Sequence, residues 1–138
     1  MAGLVVALAV LTLSVAVGVT YRLRNGRLRR RAGGPDLREV LAELGGAPGE
    51  RATLLQFSSA FCAPCRATRR TLADVAGMVA GVRHVEVDAE SHLELVRRLG
   101  ILRTPTTLVL DREGREVRRA SGQPRKADVL AALGEALP

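Results

Sequence analysis

Cys62 and Cys65 are the only cysteines in the chain, and they fall in the stretch SSAFCAPCRATRR, residues 58–70. Two cysteines at this spacing can be a redox couple, half of a metal site, or buried filler. The thiolate is the nucleophile of thiol–disulfide exchange, and a second thiol within reach can resolve the mixed disulfide that forms. Zinc wants four ligands, and only His84 and His92 could join the two cysteines. The seven residues between those histidines do not match the usual spacing of zinc-binding histidines.

The elements around the pair decide which chemistry it can support. The run ATLLQFS, residues 52–58, is apolar enough to be a strand buried on both faces. Residues 63–80 read as a helix with Leu72, Val75, Ala76 and Val79 facing inward. Cys62 therefore stands after a strand and at the mouth of a helix, where unpaired N–H groups and the positive end of the helix dipole favour a thiolate. Arg66, Arg69 and Arg70 add positive charge nearby. Cys65 lies one turn further on, with a Cα spacing of about 5 Å that a disulfide accepts. Pro64 suits the first turn, where its missing N–H costs little. That context favours a redox pair over inert cysteines.

The remaining elements alternate. Asp36 precedes a stripe of Leu37, Val40, Leu41 and Leu44 and predicts an amphipathic helix ending at Gly45–Gly46. VRHVEVD, residues 82–88, reads as a strand with Val85 and Val87 on one face. SHLELVRRLG opens with a capping box from Ser91 to Glu94 and closes at Gly100. TTLVLD, a turn at Glu113–Gly114, and REVRRAS predict an antiparallel pair, and KADVLAALGEAL a final helix. Two strand–helix–strand units imply parallel strands with right-handed crossovers. The hairpin adds antiparallel pairing, so the domain is α/β with a mixed sheet.

Ahead of this domain, residues 2–19 carry no charge and only Thr12 and Ser14 are polar. With Thr20 and Tyr21 the segment is long enough, at about 1.5 Å per residue, to cross a bilayer core of roughly 30 Å. No Lys or Arg precedes it, which argues against a cleaved signal peptide and for one membrane helix. Six of the 21 basic residues follow at once: Arg22, Arg24, Arg27, Arg29, Arg30 and Arg31. From Asp36 on, the other fifteen basic residues face 14 acidic ones, so the domain is nearly neutral. A nucleic-acid-binding domain carries its excess charge on the fold, so nucleic acid is not an expected partner and a lipid bilayer is. The expected division is a transmembrane helix over 1–21, a basic linker over 22–35 broken by Gly26, Gly33, Gly34 and Pro35, and a folded domain over 36–138. The charge asymmetry places the N-terminus outside and the domain on the cytoplasmic side of a cell membrane.

From about residue 36 to 138 the chain resembles thioredoxin. FCAPC is similar to the family's active-site motif, RTPTTLVLDREGREV to the segment with its cis-proline, here Pro105, and ASG to a family glycine, here Gly122. The resemblance implies a thioredoxin-like fold, a central mixed sheet flanked by helices. It implies a protein-disulfide reductase whose redox centre is Cys62–Cys65, with no further cofactor and no metal. Cys62 attacks, Cys65 resolves, and Phe61, Ala63, Pro64, Thr104 and Pro105 shape the site, with the Thr104 backbone free to pair with an extended substrate. Partners are then a protein disulfide and an electron-donating reductase. The chain departs from the family in several places. Phe61 replaces a common Trp, and Ala63-Pro64 replaces Gly-Pro. Gln56 stands where many thioredoxins have a buried Asp, and His84 where a Lys is common. Gln56 cannot accept a proton at neutral pH, which leaves His84 or water for that role. The family's first edge strand has no counterpart. Rival readings of the same residues are a non-catalytic thioredoxin-fold module that binds a membrane partner, an extracytoplasmic disulfide exchange protein, and a metal carrier using the dithiol.

Overall fold

The computed structural model describes residues 1–31 and 36–138. A helix α1 (Ala2–Arg24) leads into a short strand β1 (Arg29–Arg30), followed by α2 (Arg38–Glu43), β2 (Ala52–Ser58), α3 (Ala63–Met78) and β3 (Val82–Asp88). A single 3-10 turn at Ala89–Ser91 precedes α4 (Leu93–Leu99), β4 (Thr106–Asp111), β5 (Glu116–Ser121) and α5 (Lys126–Ala136).

The strands form one sheet in the order β1-β5-β4-β2-β3. β2 runs parallel to β3 and antiparallel to β4, and β4 pairs antiparallel with β5. The sheet is mixed, as expected, but only the first strand–helix–strand unit is parallel: β4 runs antiparallel to β2 and hence to β3, so the connection through α4 is not the second parallel crossover that the sequence predicts. All seven residues of β2 are buried, because it has a strand on each side and helices on both faces. Leu55 and Phe57 point to one face with Leu108 and Leu110, where Leu37 just before α2, Val40 and Leu41 of α2 and Leu99 of α4 cover them. Ala52 and Leu54 point to the other face with Val109, beneath Leu72 and Val75 of α3 and Val129, Ala132 and Leu133 of α5. The period of two along the strand thus divides one sheet into two apolar layers.

Two local expectations are corrected. Ser91 does not cap α4. Its hydroxyl donates to Asp88 Oδ2 at 2.6 Å, and the helix starts one residue later, with His92 as a cap that makes no side-chain bond. Asp88, at the end of β3, also accepts the Glu90 N–H at 3.0 Å, so the end of the strand organises this turn. The basic segment 22–35 is not a linker in its described part. Arginine is a good helix former, and α1 continues through Arg24. Arg29 and Arg30 then pair with Arg119 and Arg118 of β5. Gly33, Gly34 and Pro35 lie outside the described residues. Among the described residues no strand lies outside β3, and the first strand instead adds to the opposite edge of the sheet.

α1 has 23 residues and a mean hydropathy of 2.5 over its most apolar window, and none of it is buried. It is long and apolar enough to cross a membrane, a property that signal sequences share. Its foot is fastened to the domain. Gly26, at φ +74°, donates its N–H to Ser121 O at 2.9 Å. A Cβ on Gly26 would come within 1.9 Å of Gln123 O, so only glycine allows this approach.

Phe57 is fully buried at the centre of the sheet. Phe57→Ala is expected to destabilise the domain by about 3–5 kcal/mol in urea titration of the full chain, while Met78→Ala on the exposed end of α3 shifts it by no more than about 0.5 kcal/mol.

Candidate active site around the cysteine pair

Cys62 and Cys65 form a disulfide with their Cα atoms 5.2 Å apart. Cys62 is the N-cap residue of α3, and Pro64 lies within the first turn, as its fixed φ favours. The Cys65 N–H donates to Cys62 Sγ at 3.2 Å, so a helix N-terminal donor is aimed at the first sulfur. The two cysteines differ in access: Cys62 is half-buried, whereas Cys65 is 1% exposed. Phe61 stands in the left-handed region at φ +56°, and its ring is fully exposed beside Cys62.

The opposite wall is the loop before β4. The peptide bond Thr104–Pro105 is cis, as expected for that proline. The pairing of Phe57 with Thr106 brings the ends of β2 and β4 together. Ser59 and Thr104 close the gap with a 2.7 Å hydrogen bond between their hydroxyls. Pro105 O accepts the N–H of Gly122 at 2.7 Å, which fastens this loop to the end of β5. Gly122 has φ +97°, the conformation for which glycine suits the position. Leu93, Leu102 and Thr104 line a shallow cavity of about 230 Å³ on the outer side of the loop.

Beneath Cys65 lies Gln56, with no exposed surface. Its Nε2 donates to Cys65 O and to Ser58 Oγ, each at 2.9 Å. Both amide hydrogens are thereby used, and Oε1 can only accept. His84 Nε2, 3.0 Å from that oxygen, must therefore carry a proton and donate it. His84 is thus brought to Gln56 as a donor, with Nδ1 as its only basic nitrogen when neutral. Glu86, on β3 opposite Gln56, is held by a bidentate pair with Arg69 at 2.5 and 2.6 Å. Arg69 is spent on this pair and does not serve the sulfurs. Thr68, one turn past Cys65, and Thr107, opposite Gln56 in β4, are fully buried, and among the described residues nothing bonds their hydroxyl oxygens.

The structure brings the expected Gln56, Phe61, Ala63, Pro64, Thr104 and Pro105 to the cysteine pair, and it links His84 to the pair only through Gln56. Ser59 and the Gly122–Pro105 bond complete the site. Ser59 had no signal beyond its closeness to Cys62, since its partner is 45 residues away. His92 is elsewhere, with Nδ1 3.0 Å from Asp88 O. Among the described residues no cluster of three or more His, Cys, Asp or Glu side chains could hold a metal.

The chain belongs to the thioredoxin-like family: the model of the thioredoxin-like domain matches residues 42–137. Its fold is similar to that of thioredoxin NaTrxh from Nicotiana alata, at 19% identity over 75% of this chain and 89% of that one, with a TM-score of 0.60. It is similar also to thioredoxin F from spinach chloroplast, at 24% identity over 64% and 78% with a TM-score of 0.56. A third likeness is to the reduced thioredoxin of Schistosoma mansoni, at 18% identity over 75% and 92% with a TM-score of 0.58. At these identities the likeness speaks to the fold alone. No curated protein matches the sequence. A thioredoxin-like domain with a disulfide-forming Cys-x-x-Cys pair is, in general terms, that of a thiol–disulfide oxidoreductase.

The network beneath Cys65 has a pH signature. Burial holds the His84 imidazole below its ordinary 6.5, against the opposing pull of Glu86. The Arg69 hydrogen bond holds the Glu86 carboxyl below its ordinary 4.5. Both depressed values mean that the unfolded chain binds more protons, so both groups withdraw stability on acidification. The His84 contribution is complete above 6.5 and fades as pH falls through its folded value, and that of Glu86 follows below 4.5. The urea midpoint is expected to drop as pH falls from about 7 to 5, and His84→Gln, which keeps a donor for Gln56 without titrating, should flatten that portion of the curve. An unchanged slope in the variant contradicts the assignment.

Proposed function

We propose that this protein is a membrane-tethered protein-disulfide reductase that uses Cys62 as nucleophile and Cys65 as resolving thiol. The observation that carries the reading is the unequal access of the two sulfurs at the mouth of α3, one half-buried and one at 1% exposure. In the reduced protein the Cys62 thiolate attacks one sulfur of a substrate disulfide. A Cys62–substrate bond forms, the substrate S–S bond breaks, and the other substrate sulfur leaves as a thiolate that takes up a proton. Cys65 then loses its proton and attacks Cys62 Sγ. The mixed disulfide breaks, the second substrate thiol departs, and two electrons have passed to the substrate, leaving Cys62–Cys65 oxidised. A dithiol reductase restores the pair. Gln56 is neutral and both its hydrogens are engaged, so the Cys65 proton goes to water or to the departing thiolate.

The exposed Phe61 ring and the Thr104 backbone beside the cis-proline suit a substrate presented as an extended polypeptide. α1 acts as the tether, and residues 36–138 with the edge strand Arg29–Arg30 form the catalytic domain. Six arginines directly after α1 and no basic residue before it favour an outer N-terminus and a cytoplasmic domain. The cytosol keeps thiols reduced, which suits a single redox pair without structural disulfides.

Cys65→Ser is expected to accumulate mixed disulfides through Cys62, and the reduced wild-type protein should be alkylated first at Cys62. Faster labelling of Cys65 contradicts the assignment of roles, and a wild-type protein that reduces no disulfide substrate would favour a binding module. Topology is read separately, with a reporter fused after Pro138. A cytosolic reporter should be active and alkaline phosphatase silent; the reverse pattern assigns the domain to extracytoplasmic disulfide exchange.

A further inference from the structure

The foot of α1 and the loop before Pro105 enclose a cavity of about 610 Å³ whose wall is half arginine. Arg24, Arg27, Arg29, Arg30, Arg31 and Arg103 line it, and among the described residues no acidic one does. Their charges are largely uncompensated. Arg103 spends its hydrogen bonds on three uncharged acceptors: Tyr21 Oη at 3.0 Å, Asn25 Oδ1 at 2.8 Å and Ser121 O at 2.6 Å. Among the described residues Arg30 reaches only Glu135, at 3.9 Å, while Arg24, Arg27, Arg29 and Arg31 have no carboxylate within ion-pair distance. Arg119, also on the wall, is neutralised by Glu116 at 2.6 Å and adds no free charge. Holding so many guanidinium groups around one hollow costs repulsion, which an anion between them relieves.

Two further features select the anion. Leu102, 95% exposed, and Tyr21 line the same hollow, so its rim is apolar where its wall is cationic. Its depth along α1 matches a headgroup. Residues 2–19 rise roughly 27 Å at 1.5 Å each, close to the hydrocarbon thickness of a bilayer, which leaves Tyr21 and the arginines at the interface. Arginine pairs with phosphate oxygens in a bidentate manner.

We propose that this cavity binds the phosphate of an anionic phospholipid headgroup and thereby seats the catalytic loop at the bilayer surface. The inference rests on the reading of α1 as a membrane helix. Ile101, Leu102 and Arg103 line both this cavity and the hollow that contains Thr104. A headgroup held in this cavity therefore lies beside Arg103, two residues from Pro105, and the substrates favoured are disulfides close to the membrane plane.

The test uses the full chain. Alkaline carbonate extraction from vesicles comes first and reads only the membrane helix: release from the vesicles overturns that reading and the lipid site with it. The chain in an uncharged detergent is then mixed with equal amounts of phosphatidylglycerol and phosphatidylcholine, and bound lipid is counted by native mass spectrometry. At least about a tenfold preference for phosphatidylglycerol is expected, lost in Arg27→Gln/Arg31→Gln, since each arginine near a membrane contributes appreciably to anionic lipid attraction. Arg51→Gln/Arg83→Gln removes the same charge at the other end of the sheet and should keep the preference. Arg24→Gln/Arg29→Gln serves as a second pair should the first fail to fold. Equal loss in both the cavity pair and the distant pair means diffuse attraction and overturns the site. So does the absence of any preference in a chain that resists carbonate. Displacement of the lipid by an equal concentration of inorganic phosphate shows a free-anion site and overturns the lipid assignment.

Discussion

A primary amide at the centre of a buried strand has to find its partners inside the protein, and the active site is arranged around how Gln56 finds them. Leaving a buried donor unpaired costs about 1–3 kcal/mol. Gln56 has no exposed surface, and its neighbours in β2 are equally covered. Its two hydrogens reach forward to Cys65 O and along the strand to Ser58 Oγ. The first of these bonds fixes the first turn of α3 over the end of β2. That placement puts Cys65 beneath the surface, aims its N–H at Cys62, and leaves Cys62 as the accessible sulfur.

The same amide determines the electrostatics. A carboxylate in this position would be a buried acid able to take a proton from Cys65. A glutamine is neutral and, with both hydrogens committed, orients its oxygen towards His84. The His84 ring is in turn held neutral by burial, so the floor of the site carries no charge of its own. Arg69 and Glu86 neutralise each other in a bidentate pair at the edge of the sheet. The end of α3 and its N–H groups stabilise a thiolate at Cys62, and Arg66 and Arg70, exposed on the same helix, add positive charge.

Most of the sheet was legible because β2 and β4 are apolar runs satisfied by burial and β3 alternates apolar with polar residues at its end, and the bounds of all three agree with the sequence reading. The cysteine pair and Pro105 were legible because their chemistry is local to a few residues. What failed depends on partners distant in sequence. Ser91 looked like a helix cap in its own tetrad, yet Asp88 takes its hydroxyl first. Arg29–Arg30 had no strand signal at all: both are exposed, and their pairing comes from the free edge of β5. The role of Arg103 rests on Tyr21 and Asn25, 82 and 78 residues away. His84 was recognised as a neighbour of the site, but only the hydrogen count on Gln56 shows which of its nitrogens carries a proton.

Gly122 lies where the helix foot meets the catalytic loop. Its N–H holds Pro105 O, while a Cβ there would come within 2.1 Å of Asn25 Oδ1. A residue with no side chain thus lets the end of α1 pack against the strand end that supports the cis-proline. Arg103 spans the same junction from the other side, and β1 continues it along the edge of β5. A flexible tether would let the domain sample a volume that grows with its length and would dilute the site relative to the membrane. Here the chain leaves α1 and is bonded to the sheet within two residues, at Gly26. On the reading of α1 as a membrane helix, the reactive end of the sheet is the end nearest the bilayer, and its orientation follows from hydrogen bonds rather than from linker length. Substrate choice is then a matter of geometry as well as of sulfur chemistry: a disulfide near the membrane plane meets Cys62 at high effective concentration, and one held far from it does not.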